Sequence, residues 1–490
     1  MAAPTLLLLV VFAAWRAANQ TPDGLSYALA VRTGVDMFHP HHLLYVPVAR
    51  LIHLAVGVDP ITATLIQNLF WMVVLAGAAW RLAGRILPGR IAPVVAAVGL
   101  LALRGVMIYT VRVETYLPAL ACLALATVLA TARPARLAPL VPVLALAILY
   151  HQTNVLFVLP LLVLLPHDGR RSAARVGGVL AGAGILVVAL YLLAAARQDP
   201  PTDFWAFALN YARAPIEAWG NFDYYSLGGL GQMTLSQARM ILPVRDSAAV
   251  FGSVGMTVAL VALVAWHLGH LRRGSGHRQL RLFGLVFLAV YLLFFLWWMP
   301  SDTDFFVATL LPLWLLTLIM LDDLPQRIRI PAVGIAGVLL LGVGNLFFTL
   351  GPMHRDAGPG RELALTLDRT APAGSVLVTG YAVQQEMLYF TDRRVVYEFE
   401  GLAREVAAGR PDFQAGTVVV VGVPCLRTLV DEETRWRDFL QWLFGYDPEN
   451  MTAARARALP GGAGVQVGPD KRALASWSAY VAEIRALYAP

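Results

Sequence analysis

The sequence predicts an α-helical polytopic membrane protein with about eleven transmembrane helices, followed by a small extracytoplasmic α/β domain. Three observations predict it. Of 490 residues, 58% are hydrophobic and 14% charged, whereas soluble domains hold about 45–50% apolar and about 25% charged residues. Apolar runs near the roughly twenty residues needed to cross a bilayer recur over the first 350 positions. From Gly351 charged residues return, and short β-branched runs alternate with helical patterns. An ordinary soluble enzyme is excluded.

The apolar segments run Pro4–Ala18, Ile61–Ala83, Ile91–Tyr109, Thr115–Ala130, Leu137–Tyr150, Asn154–Leu165, Val176–Leu193, Ala248–Leu268, Leu280–Met299, Phe305–Leu321 and Ile330–Leu350. The stretch from Leu137 to Leu165 reads either as one long tilted helix or as two short ones broken around His151. Charge decides between them. With a hairpin there, the clusters Arg81/Arg85/Arg90, Arg133/Arg136, Arg170/Arg171/Arg175, Arg272/Arg273/Arg278/Arg281 and Arg327/Arg329 share one side, which the positive-inside rule makes cytoplasmic. The formal net charge of +7 is therefore a topology signal, and no nucleic-acid partner is read from it. The first segment could be a secretory signal, but it lacks a basic residue before its apolar run, so an uncleaved cytoplasmic N-terminus is expected. A multi-pass protein of the cell membrane follows, with membrane lipids around it. The external face then receives the loop 19–42, Arg112 and Glu114, His151, the long segment 195–247, the Ser301–Asp304 turn and the domain 351–490. Nearly every candidate functional residue lands on that face.

Within the C-terminal domain, Ser375–Thr379, Arg394–Phe399 and Thr417–Val423 read as strands, and Leu426–Phe444 and Ala475–Leu487 as helices. No glycine-rich phosphate loop or metal spacing is present there. Cys122 lies in an apolar run and Cys425 in the polar third, so a bond between them is not expected.

The residues that could carry chemistry begin with Asp23, the first acidic residue, where a helix meets the outer surface. Its carboxylate could act as a general base or could cap the following helix. His39, His41 and His42 invite a metal reading, but the spacing matches no helical i, i+4 pair. A divalent metal is possible and not favoured, and no cofactor is otherwise implied. Arg112 and Glu114 are two apart and do not face each other on a helix, so a salt bridge between them is not the simplest account. Arg112 and Arg104 could meet an anionic lipid phosphate, or could snorkel to headgroups. His151, Gln152, Thr153 and Asn154 sit at an intramembrane break, and Thr153 and Asn154 would satisfy backbone groups freed there. Ser301-Asp-Thr-Asp304 looks like a D-x-D metal motif, but it precedes an apolar helix and reads as an N-cap. Trp205, Tyr211, Trp219, Tyr224 and Tyr225 form an interfacial aromatic belt or a sugar-stacking surface.

Together these segments resemble the C-type superfamily of polytopic glycosyltransferases (GT-C), in particular bacterial relatives of the dolichyl-phosphate-mannose protein mannosyltransferases. Four local matches carry the likeness. They are an acidic residue just after the first span followed by Tyr27 and Gly34, the His-Pro-x-x-x-Leu-Tyr run from His39 to Tyr45, the Glu114-x-Tyr116 step, and the His151-x-Thr-Asn154 break before a Leu/Pro-rich helix. They cover roughly the first 170 residues. The resemblance implies a GT-C-like transmembrane domain over 1–350 that moves a sugar from a polyprenyl-phosphate donor to an extracytoplasmic acceptor. It places Asp23 at the reaction centre, Arg112 and Arg104 on the donor phosphate, and Glu114, Tyr116, His151, His39, His42, Tyr45 and Tyr27 around the substrates. Relatives often carry a second acidic residue near the first; this chain has Ser26 there. A single base suffices for an inverting displacement, because a phosphate leaving group needs electrostatic help more than a general acid. A transporter or lipid-linked-sugar flippase is the rival reading. It would predict repeats and interrupted helices in matching halves, and the sequence shows neither.

Overall fold

Long apolar runs become helices because in hydrocarbon every backbone amide has to be paired within its own segment. The computed structural model describes residues 2–132, 135–165, 169–198, 200–209, 220–273, 276–324, 331–370, 376–379, 381–397, 419–422 and 464–467. The chain divides into two units, Met1–Ala17 with Ala30–Arg355, and Ala18–Leu29 with Asp356–Pro490.

The first unit is helical. Its elements open with α1 (Ala2–Ala14), the end of α2 (Pro22–Thr33), α3 (Tyr45–Val56) and α4 (Pro60–Ile86). Next come α5 (Ile91–Leu101), α6 (Arg104–Val111), α7 (Tyr116–Ala130), α8 (Leu137–Tyr150), a 3-10 turn (Gln152–Phe157) and α9 (Val158–Leu164). The series continues with α10 (Gly169–Ala196), α11 (Phe204–Ala208), α12 (Leu227–Ile241), α13 (Ala249–Arg272) and α14 (Arg278–Trp298). A 3-10 turn (Thr303–Val307), α15 (Leu310–Asp323), α16 (Pro331–Asn345), a π turn (Leu346–Leu350) and α17 (Gly351–Arg355) complete it.

Among the described residues six helices are long and apolar enough to cross a membrane: Pro60–Ile86, Ala173–Ala196, Asp246–Arg272, Arg278–Trp298, Thr303–Asp323 and Gly334–Glu362. A seventh is added if α5 and α6, bent by 65°, count as one span. The expected count of about eleven is thus met only in part. The segments predicted at Pro4–Ala18, Thr115–Ala130, Leu137–Tyr150 and Asn154–Leu165 form apolar helices of 10–17 residues, shorter than a straight crossing of a roughly 30 Å core requires. Tyr45–Val56 is a further short apolar helix. The Leu137–Leu165 stretch breaks at His151, whose backbone is extended (φ −157°, ψ 113°). α8 packs on α7 and α10, and α9 on α14.

Local chemistry sets the element ends. Asp59 caps α4 by accepting from the Thr62 amide (3.0 Å), with Pro60 at the first helical position. Gly34, at φ +77°, ends α2 where Arg50 from α3 donates to the Val31 carbonyl at 2.7 Å. Glycine suits position 34 for its positive φ, and a Cβ there, 2.6 Å from the Arg50 guanidinium, would make that side chain shift. α13 turns Val250, Phe251, Val254, Val258 and Val261 outward, the surface a bilayer covers.

The second unit holds Ala18–Leu29, α18 (Pro359–Thr370), α19 (Tyr381–Phe390) and a sheet of β1 (Val376–Thr379), β2 (Arg394–Tyr397), β3 (Val419–Gly422) and β4 (Gly464–Val467). The strand order is β2-β1-β3-β4. β1 pairs in parallel with β2 and β3, and β4 runs antiparallel to β3. The parallel β1–α19–β2 connection makes this an α/β sheet. The helices read at Leu426–Phe444 and Ala475–Leu487 lie outside the described residues.

Where α13, α14 and α15 meet, Arg281 is fully buried. It pairs with Asp323, donates to the Gly276 carbonyl (3.0 Å) and donates to His267 Nδ1 (3.0 Å). His267 Nε2–H in turn donates to the Leu316 carbonyl (3.0 Å), and Trp266 Nε1–H donates to Asp323 (3.1 Å). An always-charged guanidinium against Nδ1 holds His267 in its neutral Nε2–H form. Arg281, one of the arginines read as a topology signal, is therefore an interior ion-pair partner. Arg281→Met is expected to lower the thermal unfolding midpoint in detergent by the equivalent of about 2 kcal/mol, since it removes the charge partner of the half-buried Asp323 carboxylate, and Arg281→Met/Asp323→Leu should recover most of that loss. Equal losses in single and double variants would count against the pairing as the cause.

Candidate functional site

The α5–α6 bend puts Arg104 at the first position of α6, where a helix dipole disfavours a cation. The guanidinium is stabilised instead by donating to the Arg239 carbonyl at the end of α12 (2.7 Å). Further along α6 the buried Tyr109 hydroxyl donates to the carboxylate of Asp304. Asp304 is available because Asp302 accepts its amide (3.0 Å) and so caps the Thr303–Val307 turn. α12 holds that turn in place. Ser236 donates to the Pro300 carbonyl (2.9 Å), and Thr309 donates to Gln237 Oε1 (2.5 Å). Arg112 and Arg104 are the basic neighbours of Asp304. The N-cap reading of Ser301–Asp304 holds through Asp302. Asp302 is the cap, and Asp304 belongs to a Tyr–Asp–Arg cluster that the sequence reading missed. The available signal was two acidic residues where one cap suffices.

Beyond Arg112, Glu114 is buried and the chain enters α7 at Tyr116. From there aromatic rings run in sequence. Tyr109 and Tyr116 have centroids 5.0 Å apart, Tyr116 and His151 5.0 Å, His151 and His42 4.8 Å, and His42 and His39 5.7 Å. The 39–44 loop is fastened to the α8 break. Gln152 N–H donates to the His41 carbonyl (3.0 Å), Leu44 N–H to the Leu149 carbonyl (3.2 Å), and Tyr191 Oη to the Pro40 carbonyl (2.5 Å). Asn154 Nδ2 donates to the Ala147 carbonyl (2.9 Å), which also accepts the His151 amide (3.1 Å), and Asn154 Oδ1 accepts from the Tyr291 hydroxyl (3.0 Å). Thr153 instead bonds His151 Nδ1 (2.7 Å). A water-sized cavity of about 10 Å³ lies between Tyr116, His151, Thr153, Asn154 and Phe305. A larger one, about 190 Å³, is lined by Phe12, Arg16, Thr62, Leu69, Thr110 and Val111 of α1, α4 and α6 and the residues beside them. Tyr45 is fully buried at the start of α3, with Glu114 as its charged neighbour.

The first unit therefore brings together Arg104, Arg112, Glu114, Tyr116, His151, His39, His42 and Tyr45, and adds Tyr109 and Asp304. Asp23 and Tyr27 belong to the second unit. There Thr21, not Asp23, caps α2, since its hydroxyl accepts from the Gly24 amide (2.9 Å). Asp23 stands exposed in the first turn of that helix, and Tyr27 is buried. Among the described residues no group of three His, Cys, Asp or Glu side chains is arranged to hold a metal ion. In the belt segment, Trp205 and Tyr225 are exposed, while Tyr211 and Trp219 lie outside the described residues.

The loop histidines are kept neutral. Burial lowers His39 to about 4. Burial and the facing His39 and His151 lower His41 to about 3, and burial with the neighbouring His151, His39 and His41 holds His42 well below the usual histidine value. At neutral pH the loop thus presents uncharged imidazoles, able to donate and accept towards hydroxyl groups. Unfolded histidine titrates near 6.5, so the unfolded chain takes up protons first as the solution is acidified. Stability present above about pH 6.5 should be lost progressively down to about pH 4. His41→Gln should flatten the fall in unfolding midpoint between pH 7 and 5; an unchanged slope would contradict this.

No family model and no curated protein matches the chain. Solved structures do. The crystal structure of ArnT from Cupriavidus metallidurans bound to undecaprenyl phosphate matches with a TM-score of 0.58 at 12% identity, covering 88% of this chain and 95% of that one. The same protein in the apo state matches with a TM-score of 0.57 at 12% identity, covering 88% and 94%. This chain is a helical polytopic membrane protein with an ArnT-like fold.

Proposed function

We propose that this protein is a membrane glycosyltransferase that moves a sugar from a polyprenyl-phosphate donor to an extracytoplasmic acceptor. The observation that carries the reading is the meeting of Arg104, Arg112, Tyr109, Glu114 and Tyr116 beside interrupted helices, in a chain whose fold resembles that of a protein crystallised with undecaprenyl phosphate. Charged residues at membrane depth are costly and mark function.

In this reading Arg112 and Arg104 hold the donor phosphodiester. The acceptor oxygen attacks the anomeric carbon, the carbon–oxygen bond to phosphate breaks, and the hydroxyl proton passes to Asp23. The lipid phosphate leaves with one additional negative charge, which the arginines stabilise. A single-step displacement inverts the anomeric centre. The exposed Asp23 carboxylate suits the role of base because Thr21 does the capping. Asp304 and Tyr109 orient the arginines, while Glu114, Tyr116, Tyr45, Tyr27, His151, His39 and His42 line the substrates. The eleven-span topology, with a cytoplasmic N-terminus and the domain 351–490 outside, belongs to the same proposal, as does the cell-membrane location. A flippase would move the lipid without breaking the glycosyl bond.

The test is incubation of purified protein with radiolabelled polyprenyl-phosphate sugars in liposomes. Transfer or donor hydrolysis is expected; translocation without bond cleavage would overturn the reading. Asp23→Asn should lose at least about 100-fold in rate with donor affinity retained, and full activity would remove the base assignment. Arg112→Ala should weaken donor binding about tenfold or more, and unchanged affinity would remove its phosphate role.

A further inference from the structure

We infer that Asn68, in the middle of α4, is the positioning residue of the Arg112–Glu114 step. Its side chain is fully buried. Its Nδ2 donates to the carbonyls of Tyr109 at 3.0 Å and Arg112 at 2.9 Å, with the Glu114 carbonyl at 3.4 Å. One amide thus gathers the end of α6 and the two charged residues that follow it. This inference rests on the proposed donor-binding role of those residues.

The physical need comes from how α6 ends. A helix leaves its last carbonyls without intrahelical partners, and in a water-poor interior each unpaired one is costly. Here the Ile108 carbonyl accepts from the Arg112 amide and the Val111 carbonyl from the Ala17 amide. The Tyr109 and Arg112 carbonyls are taken by Asn68. Arg112 has left helical geometry (φ −118°, ψ 150°), so the helix ladder ends there and the Asn68 amide bonds the carbonyls on either side of that end. Asn68 also neighbours the Tyr45 hydroxyl, which places a third proposed pocket residue on the same amide.

Asparagine suits the position because a primary amide has two hydrogens to share among several carbonyls. Aspartate would set a carboxylate against three carbonyl oxygens, and serine is too short. α4 itself does not require the residue, since the Nδ2 bonds go to carbonyls more than 40 positions away. Asn68 touches no reacting atom in this scheme; it acts through the residues it orients.

The experiment compares full-length wild type, Asn68→Ala, Asn68→Asp, Arg112→Ala and the Asn68→Ala/Arg112→Ala double variant in detergent. Amide exchange over 109–116 is read beside binding of undecaprenyl phosphate. In Asn68→Ala and Asn68→Asp, exchange should rise about tenfold or more at 112–115 and stay unchanged in α14. Undecaprenyl phosphate binding should weaken about tenfold, and the double variant should bind no worse than Arg112→Ala alone. Unchanged exchange at 112–115 overturns the inference, and so do multiplicative losses in the double variant. If Asn68→Ala does not fold, Asn68→Asp carries the exchange test. Wild type that fails to bind undecaprenyl phosphate, with exchange still rising in the variants, overturns the donor reading and leaves the clamp standing.

Discussion

A helix interrupted within hydrocarbon has to re-satisfy the backbone groups that the interruption releases, and this constraint organises the polar residues of the first unit. At the end of α6 the freed carbonyls draw in Asn68 and the Ala17 amide. At His151 the freed Leu149 carbonyl accepts from the Leu44 amide, and the Ala147 carbonyl, already bonded to the His151 amide, takes a second bond from Asn154. Before α15 the turn is held by Asp302 and by Ser236 of α12. Each repair needs a donor or acceptor from another element. The interruptions therefore collect polar side chains from α4, α12, α14 and the 39–44 loop around one another.

The same economy explains why the charges here have partners while lipid-facing helices have none. α13 exposes valines and a phenylalanine along its length, whereas Arg104 and Arg281 each donate to backbone carbonyls or side chains in the interior. A guanidinium has five N–H groups to satisfy, so an arginine away from water specifies its surroundings closely. At Arg281 the surroundings include a carboxylate, which closes a structural knot. At Arg104 and Arg112 the nearby carboxylate, Asp304, accepts from a tyrosine hydroxyl and acts on the arginines through its charge. In the proposed function these two arginines meet an incoming phosphate, and Asp304 and Tyr109 keep them oriented before it arrives.

Much of this arrangement was legible in the sequence, and the misses have physical reasons. Arg112, Glu114 and His151 stand out because ionisable residues are rare between apolar runs. The histidine run drew notice for its density, but its packing on His151 and Tyr116 depends on loop-to-break backbone bonds that no spacing encodes. By position Asp23 reads as a helix cap and only the resemblance makes it a base; the structure gives the cap to Thr21, two residues earlier. The Ser301–Asp304 turn reads as an N-cap without saying which of its two acidic residues bonds the backbone, and the structure gives that bond to Asp302. Asn68 left no mark at all, since an isolated asparagine in an apolar helix has many ordinary uses.

The sequence by itself determined the class of molecule, because hydrophobic length and the scarcity of charge are local properties that composition and periodicity report directly. It also marked some of the polar residues of the site, Arg112, Glu114 and His151 among them. Only the tertiary structure decided which of them act together. Asn68 reaches a carbonyl 41 positions away and Tyr109 a carboxylate 195 positions away. Hydrogen bonds depend on angle and on distances of a few ångströms, and nothing in residue order encodes either across such separations.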